Sequence, residues 1–296
     1  MVHGVLISLL AFQSYLDGID MICAVVVTYN PDNDLMASQY LSVSRQVDKV
    51  IYVDNGSDCG IVFPDDCTII NNGRNLGLGK AQNIGIQAAV SQGADFILLL
   101  DQDSLPDEDM VEKLLQVYYE CKKDVRVALV GPVLKNAYKS AEPDGYGLLI
   151  SGCRIRKVGL MRCTEVSYCI SSGSLIPVEV LNDVGLIEEK LFIDGMDLEW
   201  CLRAQGKGYS VIQTDLTGLT HRLGDGSEDK IMSHSPFREY YIVRNDVWIS
   251  RQSHIPLGYR FRKMVTPFTR LLSSVCSGRW DYLKQQIKGY VDGYRL

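Results

Sequence analysis

Apolar residues fall along this chain first in short unbroken runs and then in looser, partly alternating patterns. Residues 24–29, 50–53, 68–70, 96–100 and 127–130 are continuous runs of strand length. Three of them stop at polar clusters: Asn30-Pro31, Asp54-Asn55-Gly56-Ser57 and Asp101-Gln102-Asp103. Runs without alternation predict strands covered on both faces, as in parallel sheets. Between them, residues 35–46, 79–92 and 110–121 space their apolar positions at helical intervals, and Pro106 suits the approach to the third helix. Strands alternating with helices predict βαβ units, a doubly wound and mostly parallel sheet, and ligands outside the carboxyl ends of its strands.

After about residue 135 the rhythm changes. Residues 151–174 read as short strands separated by glycines, followed by a helix from Val180 to near Gly185 and a longer one over 196–205. A strand at 209–212 and a helix over 237–251 lead to a basic, amphipathic tail, and no internal repeat or long linker interrupts the pattern. These signals divide the chain into an extension over 1–20, one integrated domain over 21–258 with halves at 21–135 and 136–258, and an appendage over 259–296. The apolar run at residues 4–12 is too short to span a bilayer and lacks the basic flank of a leader.

Composition narrows the class. Charged residues make up 22% and the net charge is -6, which argues against both bulk disorder and a general nucleic-acid binder. Nine scattered cysteines, an odd number without CxxC spacing, fit a reducing, cytoplasmic setting. Cys23, Cys153, Cys201 and Cys276 stand in apolar or mixed surroundings, where a buried free thiol is expected.

Three acidic groups carry the candidate chemistry. Asp101 and Asp103 end the most apolar run, where two carboxylates need solvent or a cation, and oxygen ligands suit Mg²⁺ or Mn²⁺. An exposed acidic turn is the plain alternative. Asp54 ends another run and is placed to accept hydrogen bonds from a base or ribose, although Asn55-Gly56 also reads as an ordinary turn. Asp194, Asp197 and Glu199 surround a helix start, whose dipole is expected to hold the Asp197 carboxyl low. Residues 71–80 hold three glycines with Arg74 and Lys80 ahead of a helix, so their backbone can approach an anion, but neither a Rossmann nor a Walker spacing is present. His221-Arg222 follows a strand and is a candidate for metal or diphosphate contact.

Taken in order, these segments resemble the family 2 glycosyltransferases of the GT-A fold, and within them the bacterial L-rhamnosyltransferases. The resemblance is carried by Ala24-Val-Val-Val-Thr-Tyr-Asn30, Val53-Asp-Asn-Gly-Ser57, Asn75-Leu-Gly-Leu-Gly-Lys-Ala-Gln-Asn-Ile-Gly85 and Leu99-Leu-Asp-Gln-Asp-Ser104. It continues through Ser172-Gly-Ser174, Phe192-Ile-Asp-Gly-Met-Asp-Leu-Glu-Trp200, His221-Arg-Leu-Gly-Asp225 and Tyr240-Tyr-Ile-Val-Arg-Asn245. It implies a nucleotide-sugar half, an acceptor half and a C-terminal helical appendage. It implies that Thr28, Asn30, Asp54, Asn55, Asn75, Gly77, Lys80, Asp101 and Arg222 serve the nucleotide sugar. Asp103 and His221 would meet Mg²⁺ or Mn²⁺, and Asp197 would act as the base of an inverting transfer. Met196 stands where most of the family has glutamate, which leaves the shares of Asp194 and Glu199 open, as it does the role of Arg244 and Asn245.

The donor implied is dTDP-L-rhamnose, and the acceptor a saccharide of a cell-surface polysaccharide such as an O-antigen, carried on a lipid pyrophosphate in comparable members. Two rival readings are nucleotidyl transfer, which wants a basic glycine-rich loop where Thr28-Tyr29-Asn30-Pro31 stands, and a sugar-nucleotide binding module without catalysis. The tail from Arg260 onward holds eight basic residues against Asp281 and Asp292, interleaved with residues such as Phe261, Phe268, Leu272 and Trp280. That mixture predicts either peripheral contact with a membrane or packing on the domain or a second subunit, in two pieces because Pro267 interrupts a single helix.

Overall fold

The computed structural model describes residues 20–136, 145–221 and 235–296, so the expected N-terminal extension, Asp20 apart, lies outside the described residues. The first half follows β1 (Ile22–Thr28), α1 (Asn33–Val43), β2 (Lys49–Asp54), β3 (Thr68–Asn71), α2 (Leu78–Ser91) and β4 (Phe96–Asp101). All seven residues of β1 are buried, because its two faces pack into two cores. Cys23, Val25 and Val27 join Ile51, Val53 and Ile97 under α2, whereas Ala24, Val26 and Tyr52 join Leu98 and Met36 on the other side. Each Val, Ile, Leu or Met among them contributes roughly 1.5–3 kcal/mol by leaving water. At Gly85 of α2 a Cβ would collide with Val25, so glycine there sets how closely helix and sheet approach.

The second half runs through β5 (Ser104–Pro106), α3 (Met110–Cys121), β6 (Val127–Asn136), β7 (Tyr146–Ser151), β8 (Arg154–Gly159), β9 (Thr164–Val166) and β10 (Leu175–Pro177). It continues with α4 (Val178–Val184), α5 (Met196–Gly206), β11 (Ser210–His221), α6 (Pro236–Ser250), α7 (Leu257–Cys276) and α8 (Trp280–Arg295). One nine-stranded sheet has the order β3-β2-β1-β4-β10-β6-β11-β5, with β9 also on β11, while β7 and β8 form a separate hairpin. The pairings among β1 to β4 are parallel, as the unbroken runs imply. Beyond β4 the sheet is mixed: β10 is antiparallel to both neighbours, and β5 and β9 are antiparallel to β11. Because β10 runs against β4, the residues just before it arrive at the carboxyl end of β4, which is where the chemistry gathers.

The tail forms α7 and α8, which pack on α6 and on each other. Pro267 lies inside α7 instead of dividing it, and the break falls at Gly278, which takes φ +65°. Two of the basic residues point inward: Lys263 pairs with Asp246 at 2.5 Å and Arg270 with Glu239 at 2.7 Å. Cys23 and Cys201 are buried thiols, but Cys153 and Cys276 are exposed, the first in the turn between β7 and β8 and the second at the end of α7. Among the described residues, no helix is long and apolar enough to cross a membrane.

Candidate active site

The parallel register brings the ends of β1, β2 and β4 level, with Thr28 beside Asp54 and Val27 beside Asp101. Asp54 is buried and accepts from the Ser57 hydroxyl at 2.6 Å and from the Ser57 amide. Asn30 takes φ +48°, and its Oδ1 accepts from the Asp58 amide at 2.9 Å, tying the loop after β1 to the loop after β2. Thr28 is fully buried beneath this rim. Asn55 is buried and reaches the glycine-containing loop: it donates to Asn75 Oδ1 at 3.1 Å and accepts from the Leu76 amide at 3.0 Å.

That loop serves packing more than the sequence implies. The amides of Leu76, Gly77 and Leu78 bond to Asn55, Asn75 and the Phe192 carbonyl, so they are engaged within the protein. Gly77 takes φ +88°, and a Cβ there would lie 2.9 Å from the Phe192 Cα. Lys80 pairs with Glu189 at 2.8 Å on the half-exposed surface.

At the end of β4 the Asp-Gln-Asp turn is anchored by Gln102, whose Oε1 accepts from the Tyr29 amide at 2.7 Å. Burial, and then the charge of Asp103, push the Asp101 carboxyl up to about 6. Like charges brought together where water is partly excluded are the condition that a hard cation relieves, and Mg²⁺ characteristically takes one or two carboxylates plus substrate phosphates. The donor set therefore fits a divalent ion shared with a diphosphate. Among the described residues, no three His, Cys, Asp or Glu side chains gather as a self-sufficient metal cluster. The register of β11 against β5 sets His221 opposite Ser104, next to Asp103 in sequence. The His221 side chain and Arg222 lie outside the described residues.

The arriving segment before β10 joins this turn to α5. Ser172 Oγ accepts from the Asp101 amide at 3.0 Å and bonds Ser104 Oγ at 2.8 Å, while its neighbour Ser171 donates to Asp197 Oδ1 at 2.5 Å. Two consecutive serines thus connect the two acidic centres. Asp197 does not sit low as its place at a helix start suggests. Burial is the largest influence and raises it; the Ser171 hydrogen bond opposes, Asp101 adds to the rise, and the carboxyl reaches about 6. Desolvation outweighs the dipole here because the half-buried helix end packs against protein and faces other carboxylates.

The neighbouring acids are committed elsewhere. Asp194 holds Arg238 in a bidentate pair at 2.7 and 2.9 Å. Glu199 is buried against Arg203, at 3.0 Å to both Nε and Nη2, and lies 2.9 Å from His254 Nε2. Arg244 and Asn245 of α6 grip the loop that leads into α5. Arg244 donates to the carbonyls of Lys190 and Leu191, and Asn245 Nδ2 contacts those of Leu191, Ile193 and Asp194 at 2.7–2.8 Å. The gripped loop is strained. Phe192 has φ +61° and ψ −58° with an Ile193 amide to Leu191 carbonyl bond of 2.7 Å, a γ-turn of the rarer hand, and Asp194 also has positive φ. Phe192 stacks on Tyr241 with ring centroids 4.7 Å apart. Ser171, Gln102 and Arg238 are not among the candidate residues read from the sequence; the serines just ahead of an apolar strand are the signal that marks the first of them.

Residues 23–185 match the family model described as Glycosyl transferase family 2. The chain is 34% identical to the dTDP-rhamnosyl transferase RfbF of Shigella flexneri, over 93% of this chain and 95% of that protein. It is 21% identical to the low-salt glycan biosynthesis hexosyltransferase Agl10 of Haloferax volcanii, over 77% and 74% of the two chains. In fold it is similar to S. aureus TarS 1-349 in complex with UDP-GlcNAc, at TM-score 0.60 and 15% identity over 92% and 80% of the chains. It is similar also to GalNAc-T7 with UDP, GalNAc and Mn²⁺, at TM-score 0.59 and 13% identity, covering 83% of this chain and 53% of that one.

Proposed function

The chain belongs to glycosyl transferase family 2 and is a nucleotide-sugar glycosyltransferase, and from that premise we propose that it transfers L-rhamnose from dTDP-L-rhamnose to a saccharide hydroxyl, with inversion. The likeness to RfbF along nearly the whole of both chains supports the donor, and a saccharide of a cell-surface polysaccharide is the corresponding acceptor. The observation that carries the mechanism is the Ser171-Ser172 link, which holds the Asp197 carboxyl beside the Asp101 end of β4.

Asp197 takes the proton of the acceptor hydroxyl as that oxygen attacks the anomeric carbon. The bond from this carbon to the diphosphate oxygen breaks, and dTDP leaves with the electron pair. A carboxyl near 6 is still ionised at neutral pH, yet it is a stronger base than an exposed aspartate. Ser171 orients it and keeps one oxygen satisfied. Asp103 and His221, with Asp101 beside them, would hold Mg²⁺ or Mn²⁺, which when bound supplies positive charge for the departing diphosphate. Asp54 addresses the base or ribose; Asn30, Asn55, Asn75 and Gly77 shape the rim around it, and Lys80 and Arg222 are the cations that would meet the diphosphate. Thr28 backs the rim from within.

Isothermal titration with dTDP-L-rhamnose, UDP-glucose and UDP-galactose tests the donor. Tightest binding of dTDP-L-rhamnose is expected, although an apolar pocket for the 6-methyl group discriminates by only about 1–3 kcal/mol. Tighter binding of either UDP sugar overturns the assignment.

A further inference from the structure

The two C-terminal helices leave an apolar surface uncovered. Along α7, Leu257, Phe261, Met264, Phe268, Leu272 and Val275 are all exposed, with Leu257 at 78% and Leu272 at 65%. At 3.6 residues per turn they fall within an arc of about 100°. The opposite side of α7 is the one that packs on the domain, through buried Tyr259, Pro267 and Ser274 and the Lys263–Asp246 and Arg270–Glu239 pairs. The exposed stripe is therefore spare; the helix is already seated by its other face. On α8, Trp280, Ile287, Val291 and Tyr294 form a second exposed stripe of the same period. Phe268 meets Tyr290 at 5.3 Å, and Tyr290 meets Tyr294 at 5.4 Å, so the two stripes join into one surface. Isolated exposed apolar residues are ordinary, but a continuous two-helix patch marks an interaction site.

Charge decides what fits it. On α8 the helical period sets Lys284, Lys288 and Arg295 in a row along one flank of the apolar stripe, all exposed, and exposed Arg279 precedes the helix. Lys284 makes no ion pair among the described residues, and Arg295 has only a 3.7 Å contact with Asp292. The chain as a whole carries -6, so this basic row is a local feature set against the general charge. Aromatic and aliphatic side chains bordered by cations match an anionic bilayer surface, where the rings enter the interface and the cations meet headgroups. We propose that the joined face of α7 and α8 docks the protein on an anionic membrane surface, with both helices lying flat. This inference does not depend on the identity of the donor sugar.

The test is flotation of the full chain with phosphatidylcholine vesicles, with and without phosphatidylglycerol, at low and high salt, alongside Lys284→Ala, Phe261→Asp and Leu272→Asp. These positions are exposed, so thermal midpoints should stay at the parent's value. Binding should require phosphatidylglycerol, weaken with salt, fall about fivefold for Lys284→Ala, and be lost for either aspartate variant. Absence of binding to anionic vesicles, or binding that all three variants retain, overturns the proposal. Light scattering in the same buffers covers the other occupant: a dimer that Leu272→Asp dissociates, with no vesicle binding, would give this face to a second copy of the chain.

Discussion

Asp194, Asp197 and Glu199 crowd one helix start and meet three different environments. Asp194 is neutralised by Arg238 and shapes the loop. Burial alone would raise Glu199, but the hydrogen bonds and charges of His254 and Arg203 outweigh it and hold the carboxyl below its usual range. Glu199 therefore stabilises the fold above the ordinary glutamate value, and that contribution is lost as pH falls through the lower folded value. Glu199→Gln leaves Arg203 partly unpaired and should cost about 3 kcal/mol, read as a lowered denaturation midpoint at neutral pH. Asp197 has the opposite sign. Raised to about 6, it costs stability once it ionises, so Asp197→Asn should melt no lower than the parent at pH 7.5. As the base, it should make kcat/KM fall about tenfold per pH unit below 6 and level off above, and a profile flat down to pH 5 would remove it from that role. The three carboxylates were legible in the sequence as a group. Their separate fates were not, because Arg238, His254 and Ser171 come from distant parts of the chain.

At the level of elements, the loop from Glu189 into α5 turns on its own backbone bonds but is tied to the domain by side chains of α6 and by the Leu78 amide. Arg244 and Asn245 supply donors to five carbonyl contacts across residues 190–194, which fixes Phe192 and Asp194, the two non-glycine residues of positive φ ahead of Asp197. We propose that they position the loop for Asp197. Asn245→Ala should destabilise by about 2–3 kcal/mol, from buried carbonyls left unpaired. It should also lower kcat at least tenfold while donor affinity measured by titration changes little, since Asn55 and Asp54 lie on the other half; a loss confined to stability would leave the pair structural only. The parallel strands were readable because β1, β2 and β4 are buried on both faces and so lack alternation. The mixed part was less so: β5, β9 and β10 have three residues each, too few to show a period, and they exist through long-range pairing.

Across the whole molecule, the antiparallel entry of β10 joins the halves, carrying Ser171 and Ser172 to a strand end that the first half builds and α5 completes. The appendage adds a surface whose cations divide between inward ion pairs, as at Lys263 and Arg270, and the outward row on α8. Composition showed the tail to be basic and amphipathic, but which cations remain for a partner emerges only once α7 is seated on α6. In the proposed mechanism Asp197 moves the proton in a transfer from dTDP-L-rhamnose. Its most direct measurement is dTDP release from dTDP-L-rhamnose with a saccharide acceptor and Mn²⁺, by the parent and by Asp197→Asn, with donor affinity determined for both. Equal affinity with release slowed at least a hundredfold in the variant is the predicted result; release at the parent's rate, with the donor bound equally well, would contradict it.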